Sequence, residues 1–245
     1  MPTAPSSDSS IPTSAAHPLD NVIWSALTHR HQAALALGDG AARRYPAEFA
    51  PFGAMADASA AGFHALAGLL TPGEQVALVT AGDVTPTAEF EILLQKPIVQ
   101  MVQSKPSGDQ AADPRMAPLG PDDATDMRAL AELTKPGPFS SRTQELGAFL
   151  GVRENGRLVA MAGERMHLDG YAEVSAVCTH PDVRGRGLAR SLVRAVSARI
   201  AARGEIPFLH AFEDNDSAIA LYASLGFDLR ATLRLTVLRH QPAAG

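Results

Sequence analysis

The sequence predicts an α/β fold of the α+β kind, with strands and helices interleaved along the chain. Three observations carry that expectation. Residues 171–202 read as an apolar strand, a Pro turn, a basic Gly-rich loop and a helix with Leu188, Leu192, Val196 and Ile200 on one stripe. Residues 151–159 and 161–167 alternate as a hairpin around Asn155-Gly156, a strong turn pair. Residues 216–225 form a short amphipathic helix, started by Asp214 and Asn215 and stopped by Gly226-Phe227.

The elements follow in chain order. Residues 1–17 are rich in Ser, Pro, Thr and Ala, with no basic start and no apolar core, and read as a disordered tail rather than a secretory signal. Residues 19–37 carry Ile23, Ala26, Leu27, Ala34 and Leu37 at helical spacing. Residues 43–52 contain Tyr45-Pro46 and Ala50-Pro51 and predict an extended or turning stretch. Residues 58–70 return to helix, and Thr71-Pro72-Gly73 ends it. Val76–Val79 predicts a short buried strand, and residues 90–102 two strand elements broken at Pro97. This first unit, 18–102, is an αβ domain without a phosphate loop. Residues 103–115 predict a linker, with Pro106, Gly108 and Pro114. The second unit spans 116–241. It opens with a helix at 122–133, a loop at 134–138 and a further helix at 139–149. After the hairpin come the strand 171–178, the helix 187–202, the strand 207–211, the helix 216–225 and a last strand marked by Leu233, Leu235 and Val237.

Composition excludes several classes. A net charge of −5 gives no basic footprint for nucleic acid. No apolar run is long enough to span a membrane. The single cysteine, Cys178, excludes an internal disulfide framework and fits a reducing compartment, so the expected location is the cytoplasm. His29 and His31 lie two apart on a predicted helix and would face apart, so no metal site is expected.

The loop after the strand 171–178 admits three readings. A Walker loop requires a Gly-Lys-Ser/Thr ending that is absent. A dinucleotide loop requires Gly-x-Gly-x-x-Gly, whereas Gly185, Gly187 and Arg190 supply only the first two glycines; Glu205 stands about where a ribose-binding acid would fall. Arg184, Gly187 and Ala189 instead fill Arg/Gln-x-x-Gly-x-Gly/Ala. This resembles the pyrophosphate loop of the GNAT acetyltransferase superfamily. Residues 215–227 resemble that superfamily's Asn-x-x-Ala-x-x-x-Tyr-x-x-x-Gly-Phe signature at every named position. The run Glu173-Val-Ser-Ala-Val-Cys-Thr-His-Pro181 resembles the glycine N-acyltransferase-like branch.

The resemblance covers about residues 116–240. It implies a mixed central sheet flanked by helices, with the N-terminal half open to being a degenerate copy of the same fold. It also implies acetyl-CoA as cosubstrate and direct N-acetylation of a small-molecule or amino-acid-like amine. Use of a longer or aromatic acyl-CoA, or a non-catalytic acyl-CoA-binding role, are the alternatives. The coenzyme would lie along Val177, Cys178 and Thr179. Its pyrophosphate would rest on Arg184, Gly185, Arg186, Gly187, Leu188, Ala189 and Arg190, at a helix N-terminus suited to anions. Asn215 and Ser217 would face its pantetheine arm. Tyr222 would be the general acid for the departing thiolate. Glu173, on the strand face shared by Ser175, Val177 and Thr179 if alternation holds, is the candidate base. Cys178 reads as a buried strand residue rather than a nucleophile. A homodimer is among the expected assemblies.

Overall fold

Asn155 and Gly156 both take positive φ, 52° and 80°, the demand of a two-residue type I′ turn. They join β6 (Phe149–Glu154) to β7 (Arg157–Leu168). Around this hairpin a computed structural model, which describes residues 17–29, 31–105 and 113–242, builds one eight-stranded mixed sheet. The remaining strands of that sheet are β3 (Gln75–Thr80), β4 (Phe90–Gln103), β5 (Met116–Leu119), β8 (Tyr171–Thr179), β9 (Ile206–Phe212) and β10 (Phe227–His240). Their order is β3-β10-β4-β9-β8-β7-β6-β5. Every neighbouring pair is antiparallel except β8 and β9. That parallel pair requires a crossover, supplied by α4 (Leu188–Ala202). A separate two-stranded ribbon joins β1 (Ala42–Arg44) to β2 (Gly53–Met55).

Alternation along the strands assigns the helices to faces. In β4, Val99 and Met101 join the cluster under α4, whereas Ile98 joins the cluster under α1 (Val22–Thr28). In β7, Val159 packs with α4 and Leu158 with α3 (Ala124–Thr134). So α4 covers one face, and α1 and α3 the other. The apolar stripe of α4 is fully used: Leu188, Leu192, Val193, Val196 and Ile200 are each no more than 2% exposed. At about 1.5–3 kcal/mol per buried aliphatic side chain, this packing outweighs intrinsic helix preferences of a few tenths. The fifth helix, α5 (Asp216–Ala223), adds Tyr222 to the same core. The second, α2 (Ala60–Ala67), is capped by the Ser59 hydroxyl and covers Val76 and Leu78 of β3.

The described residues before 103 do not form a second sheet of this size. Its β3 and β4 enter the main sheet, with β10 between them. The boundary at 103–115 therefore separates stretches of chain that share one sheet, and residues 106–112 of that linker lie outside the described residues. Residues 1–16 of the tail also lie outside them. His17 does not belong with a tail, since its backbone N–H donates to Asp20 and its ring meets the Tyr171 hydroxyl at 3.3 Å.

Three expected elements differ. The helix at 19–37 ends at Thr28, because His29 turns extended (ψ 144°) and its ring is bonded to Asp169, at the turn between β7 and β8. Residues 33–35 form only a 3-10 turn. The helix expected at 139–149 is a 3-10 turn at Thr143–Leu146, followed directly by β6. There the Thr143 hydroxyl donates to the Phe49 carbonyl and accepts from the Ser140 N–H, so a side chain takes over local backbone bonding. The two strands expected around Pro97 are one continuous β4. Pairing with β9 begins at Ile98, so Pro97 stands at the end of that ladder, where its carbonyl accepts from the Glu213 N–H and its missing N–H breaks no rung.

Gly226 closes α5 at φ 83° and its carbonyl accepts from the N–H groups of Ser104 and Lys105. A Cβ there would lie 1.8 Å from the Lys105 carbonyl oxygen. Gly226→Ala is expected to lower unfolding free energy by more than about 2 kcal/mol, combining the left-handed strain with a backbone clash. Urea denaturation checks it, and an unchanged midpoint would contradict this account of the turn.

Candidate active site

The β8 and β9 strands are hydrogen-bonded only from Tyr171, Ala172 and Glu173 to Ile206, Pro207 and Phe208. Beyond that point β9 continues beside β4, while β8 follows β7. Ala176 takes φ 51°, where the β7–β8 register shifts between Gly163–Ser175 and Met161–Cys178. An Ala in the left-handed region is strained and marks a bulge that bends the strand. The parting leaves Val177, Cys178 and Thr179 with a strand on one side and a cleft on the other.

That cleft has a volume of about 480 Å³. It is walled by residues 177–179, the loop 184–190, and Asn215, Ser217 and Tyr222. Every coenzyme-contacting residue expected from the sequence stands on this one surface. The loop reaches it through two left-handed glycines, Gly185 and Gly187, both at φ 77°; a Cβ built on either meets nothing within 4 Å. Gly187 caps α4, whose first turn holds no acid. The free N–H groups of a 15-residue helix thus open beside three arginines. Arg186 is paired with Glu154 at 2.8 Å, Arg190 donates to the Ser224 hydroxyl, and Arg184 approaches the Thr179 carbonyl at 3.5 Å. The Thr179 hydroxyl oxygen is buried without a hydrogen-bond partner. Asn215 uses its side-chain oxygen to cap α5 by accepting from Ala218 N–H and the Ser217 hydroxyl. An empty space over glycines, a helix N-terminus without acids and an orphaned hydroxyl beside an open strand edge fit a pyrophosphate with an extended amide-bearing arm.

A second pocket, of about 210 Å³, adjoins the first. Val177, Asn215, Ala218 and Tyr222 line both. Tyr222 is 8% exposed, tilted against Phe227, and burial pushes its hydroxyl up to about 12. It stays protonated throughout the neutral range. Burial likewise pushes the Cys178 thiol up to about 11, against a hydrogen bond with Thr134, so little thiolate exists at neutral pH.

Glu173 is where the sequence expectation fails. It lines neither pocket. It is 1% exposed and bound in two parallel hydrogen bonds by Arg165, at 2.7 and 2.8 Å, while His210 Nδ1 lies 2.9 Å away. The bulge at Ala176 breaks the alternation that had placed Glu173 on the face of Val177 and Thr179. Burial alone would raise its pKa; the Arg165 charge and the His210 hydrogen bond outweigh that and hold it at about 2. A carboxylate so held is a poor proton acceptor and works as an anchor. His210 is equally occupied: the Gln100 amide faces Nε2 at 3.0 Å, which leaves the Nδ1 proton for Glu173. Gln100 in turn accepts from Arg230, which pairs with Asp20 at 2.9 Å. Arg165, His210 and Lys135 all line the second pocket, and sequence reasoning selected none of them. No motif surrounds them; they converge only through strand register.

Among the described residues no group of three or more His, Cys, Asp or Glu side chains could hold a metal, and no helix is long and apolar enough to cross a membrane.

Residues 149–235 match the FR47-like protein family. A solved structure from Novosphingobium aromaticivorans, assigned to the GNAT acetyltransferase family, is 43% identical and superposes with a TM-score of 0.87. That match covers 93% of this chain and all of the other. The N-alpha-acetyltransferase RimI of Mycobacterium tuberculosis is 36% identical over 100 residues, which are 38% of this chain and 61% of that protein. An acetyltransferase of Yersinia pestis is 37% identical over 91 residues, 36% of this chain and 62% of that one. The chain thus spans about three fifths of the length of these curated relatives. The glycine N-acyltransferase-like resemblance gains no support from these matches.

Replacing Glu173 would leave Arg165 buried without its counter-charge. Glu173→Gln is expected to destabilise the fold by about 3–5 kcal/mol, measurable by urea denaturation. The sign with pH is set by a folded pKa of about 2 against 4.5 for the free side chain. Because the folded value is depressed, the stabilisation is full above pH 4.5 and is lost as pH falls through about 2. The variant's stability should lack that part of the wild-type acid slope.

Proposed function

The chain belongs to the GNAT acetyltransferase family, and from that premise we propose that it is an acetyl-CoA-dependent N-acetyltransferase. The acceptor is a primary amine of a small molecule or amino-acid-like compound, acetylated directly. The observation that carries this reading is the place of Tyr222, on the wall shared by the coenzyme cleft and the second pocket. A donor at the junction of two binding spaces serves a transfer between their occupants, which a simple coenzyme-binding module has no need of.

Acetyl-CoA, when bound, supplies the thioester whose acyl carbon accepts the amine. The chain's own groups do the rest. The loop 184–190 and the N-terminus of α4 hold phosphate charge. The open edge of Val177–Thr179 offers backbone groups to an extended arm and to the polarised carbonyl, where preorganised donors count most. The second pocket holds the amine on the far side of Val177. A carbon–nitrogen bond forms and the carbon–sulfur bond breaks; the proton shed by the amine nitrogen balances the one gained by sulfur. Tyr222, protonated at neutral pH, donates its hydroxyl toward the charge developing on sulfur. With Glu173 engaged by Arg165 and His210, the amine loses its proton to water.

Tyr222→Phe keeps the ring's packing and removes the donor. Turnover is expected to fall at least about tenfold with coenzyme affinity little changed; full activity in steady-state assays would refute the role. Cys178→Ala should retain substantial turnover with no acyl-enzyme by mass spectrometry. An acylated chain formed from acetyl-CoA alone, and lost in that variant, would overturn direct transfer. Gly187→Val should weaken coenzyme binding in calorimetry, since it loads a left-handed position with a β-branched side chain beside the phosphate loop.

A further inference from the structure

The chemistry of the second pocket restricts what can be acetylated there. Resting on the acetyl-transfer reading above, we infer that the acceptor is a single amine of amino-acid size bearing a carboxylate and an apolar side chain, with Lys135 receiving the carboxylate.

Four observations support this. First, the pocket's described lining contains no aspartate or glutamate. Its basic members are Lys135, Arg165 and His210, and Tyr222 stays protonated. Arg165 and His210 are already engaged by Glu173. Lys135 forms no ion pair among the described residues, so the pocket carries an uncompensated positive charge. Glu213, Asp214 and Asp216 on the nearby turn are exposed and line neither space. A polyamine or other polycation would bring a second positive charge to a site that can only repel it. A carboxylate meets a cation with three free donors.

Second, Lys135 is an exposed residue whose backbone is fixed at the pocket rim. It is the C-cap of α3 in a left-handed conformation, φ 50°, with its N–H bonded to the Ala131 carbonyl at 2.7 Å. The segment Pro136-Gly137-Pro138 follows it along the pocket rim, and two prolines limit how far that rim can move. Third, the wall away from the cleft is largely apolar: Phe52, Val79, Ile98, Met166 and Leu235 line it, while Asn215 and Tyr222 stand on the side shared with the cleft. The Arg165 guanidinium lies 4.8 Å from the Phe52 ring centroid and steadies that ring. Fourth, about 210 Å³ suits an amino acid with one medium side chain.

The test uses the full chain and follows coenzyme A release from acetyl-CoA. The acceptors are L-leucine, L-methionine and L-phenylalanine, their amides, and spermidine. At least one free amino acid is expected to exceed its own amide in kcat/KM by about tenfold or more, the scale of one charge-assisted contact. The amide's amine is the less basic of the two, so that bias runs against the expected result. In Lys135→Gln the ratio of acid to amide should collapse toward one, through KM for the acid. Preference for the amides or spermidine, or a ratio that Lys135→Gln leaves unchanged, overturns the inference while leaving acetyl transfer standing. No release with any acceptor, together with no coenzyme binding in calorimetry, overturns both. Binding without release from any acceptor removes the catalytic reading and this inference with it, and leaves a coenzyme-binding protein.

Discussion

The site depends on two parallel strands that stop pairing. The backbone ladder between β8 and β9 ends at Glu173 and Phe208. Past that point the strands must separate without tearing the sheet. A side-chain bridge takes over where the backbone bridge ends, as Glu173 on β8 reaches His210 on β9. Arg165 on β7 balances the charge, and Gln100 on β4 holds the far side of the imidazole. Four adjacent strands are thereby tied by one buried polar network at the root of the opening. Breaking any member would leave a buried charge or donor unpaired, at a cost of several kcal/mol, so the arrangement is all-or-none in character.

Two spaces follow from that opening. On one side of Val177 the cleft runs to the glycines of the loop and the start of α4. On the other a smaller pocket is closed by residues from β3, β4 and β10 and by the rim after α3. The first draws mainly on one run of chain, 177–190, closed by α5 and its cap at 215–222. The second draws on chain positions from Phe52 to Leu235. The N-terminal part of the chain is therefore built into the walls of these spaces. Phe52 and Val79 line the second pocket, and α1 with the turn before it buries Leu19, Ile23 and Leu27 completely against the same face of the sheet.

Electrostatics divides labour between the two spaces. The cleft presents a helix end and arginines, in partly exposed surroundings where charge is inexpensive. Its inner wall is drier. Tyr222 and Cys178 sit there in protonated form because burial disfavours their anions. Each therefore holds its proton at neutral pH, with no base needed to set either state.

The sequence by itself determined whatever depends on neighbours in the chain. The phosphate loop, the cap at Asn215, the Tyr222 position seven residues on, the turn at Asn155-Gly156 and the α4 stripe all follow from spacing, handedness and local hydrogen bonding. The structure brings the expected loop, strand and helix residues onto one cleft. Only the tertiary structure decided the rest. Glu173 looked free on its strand face, yet a one-residue bulge at Ala176 turned the alternation over, and Arg165 lies eight positions away on the neighbouring strand. The helix expected through His29 ended early because Asp169, 140 residues on, held the ring. The second pocket had no readable signal, since Lys135, His210 and Phe52 meet through strand register and crossover. Period-two and period-three-to-four patterns report which face of an element is buried. They carry no information about which distant side chain will stand opposite, and that pairing fixes both the anchor role of Glu173 and the charge of the pocket.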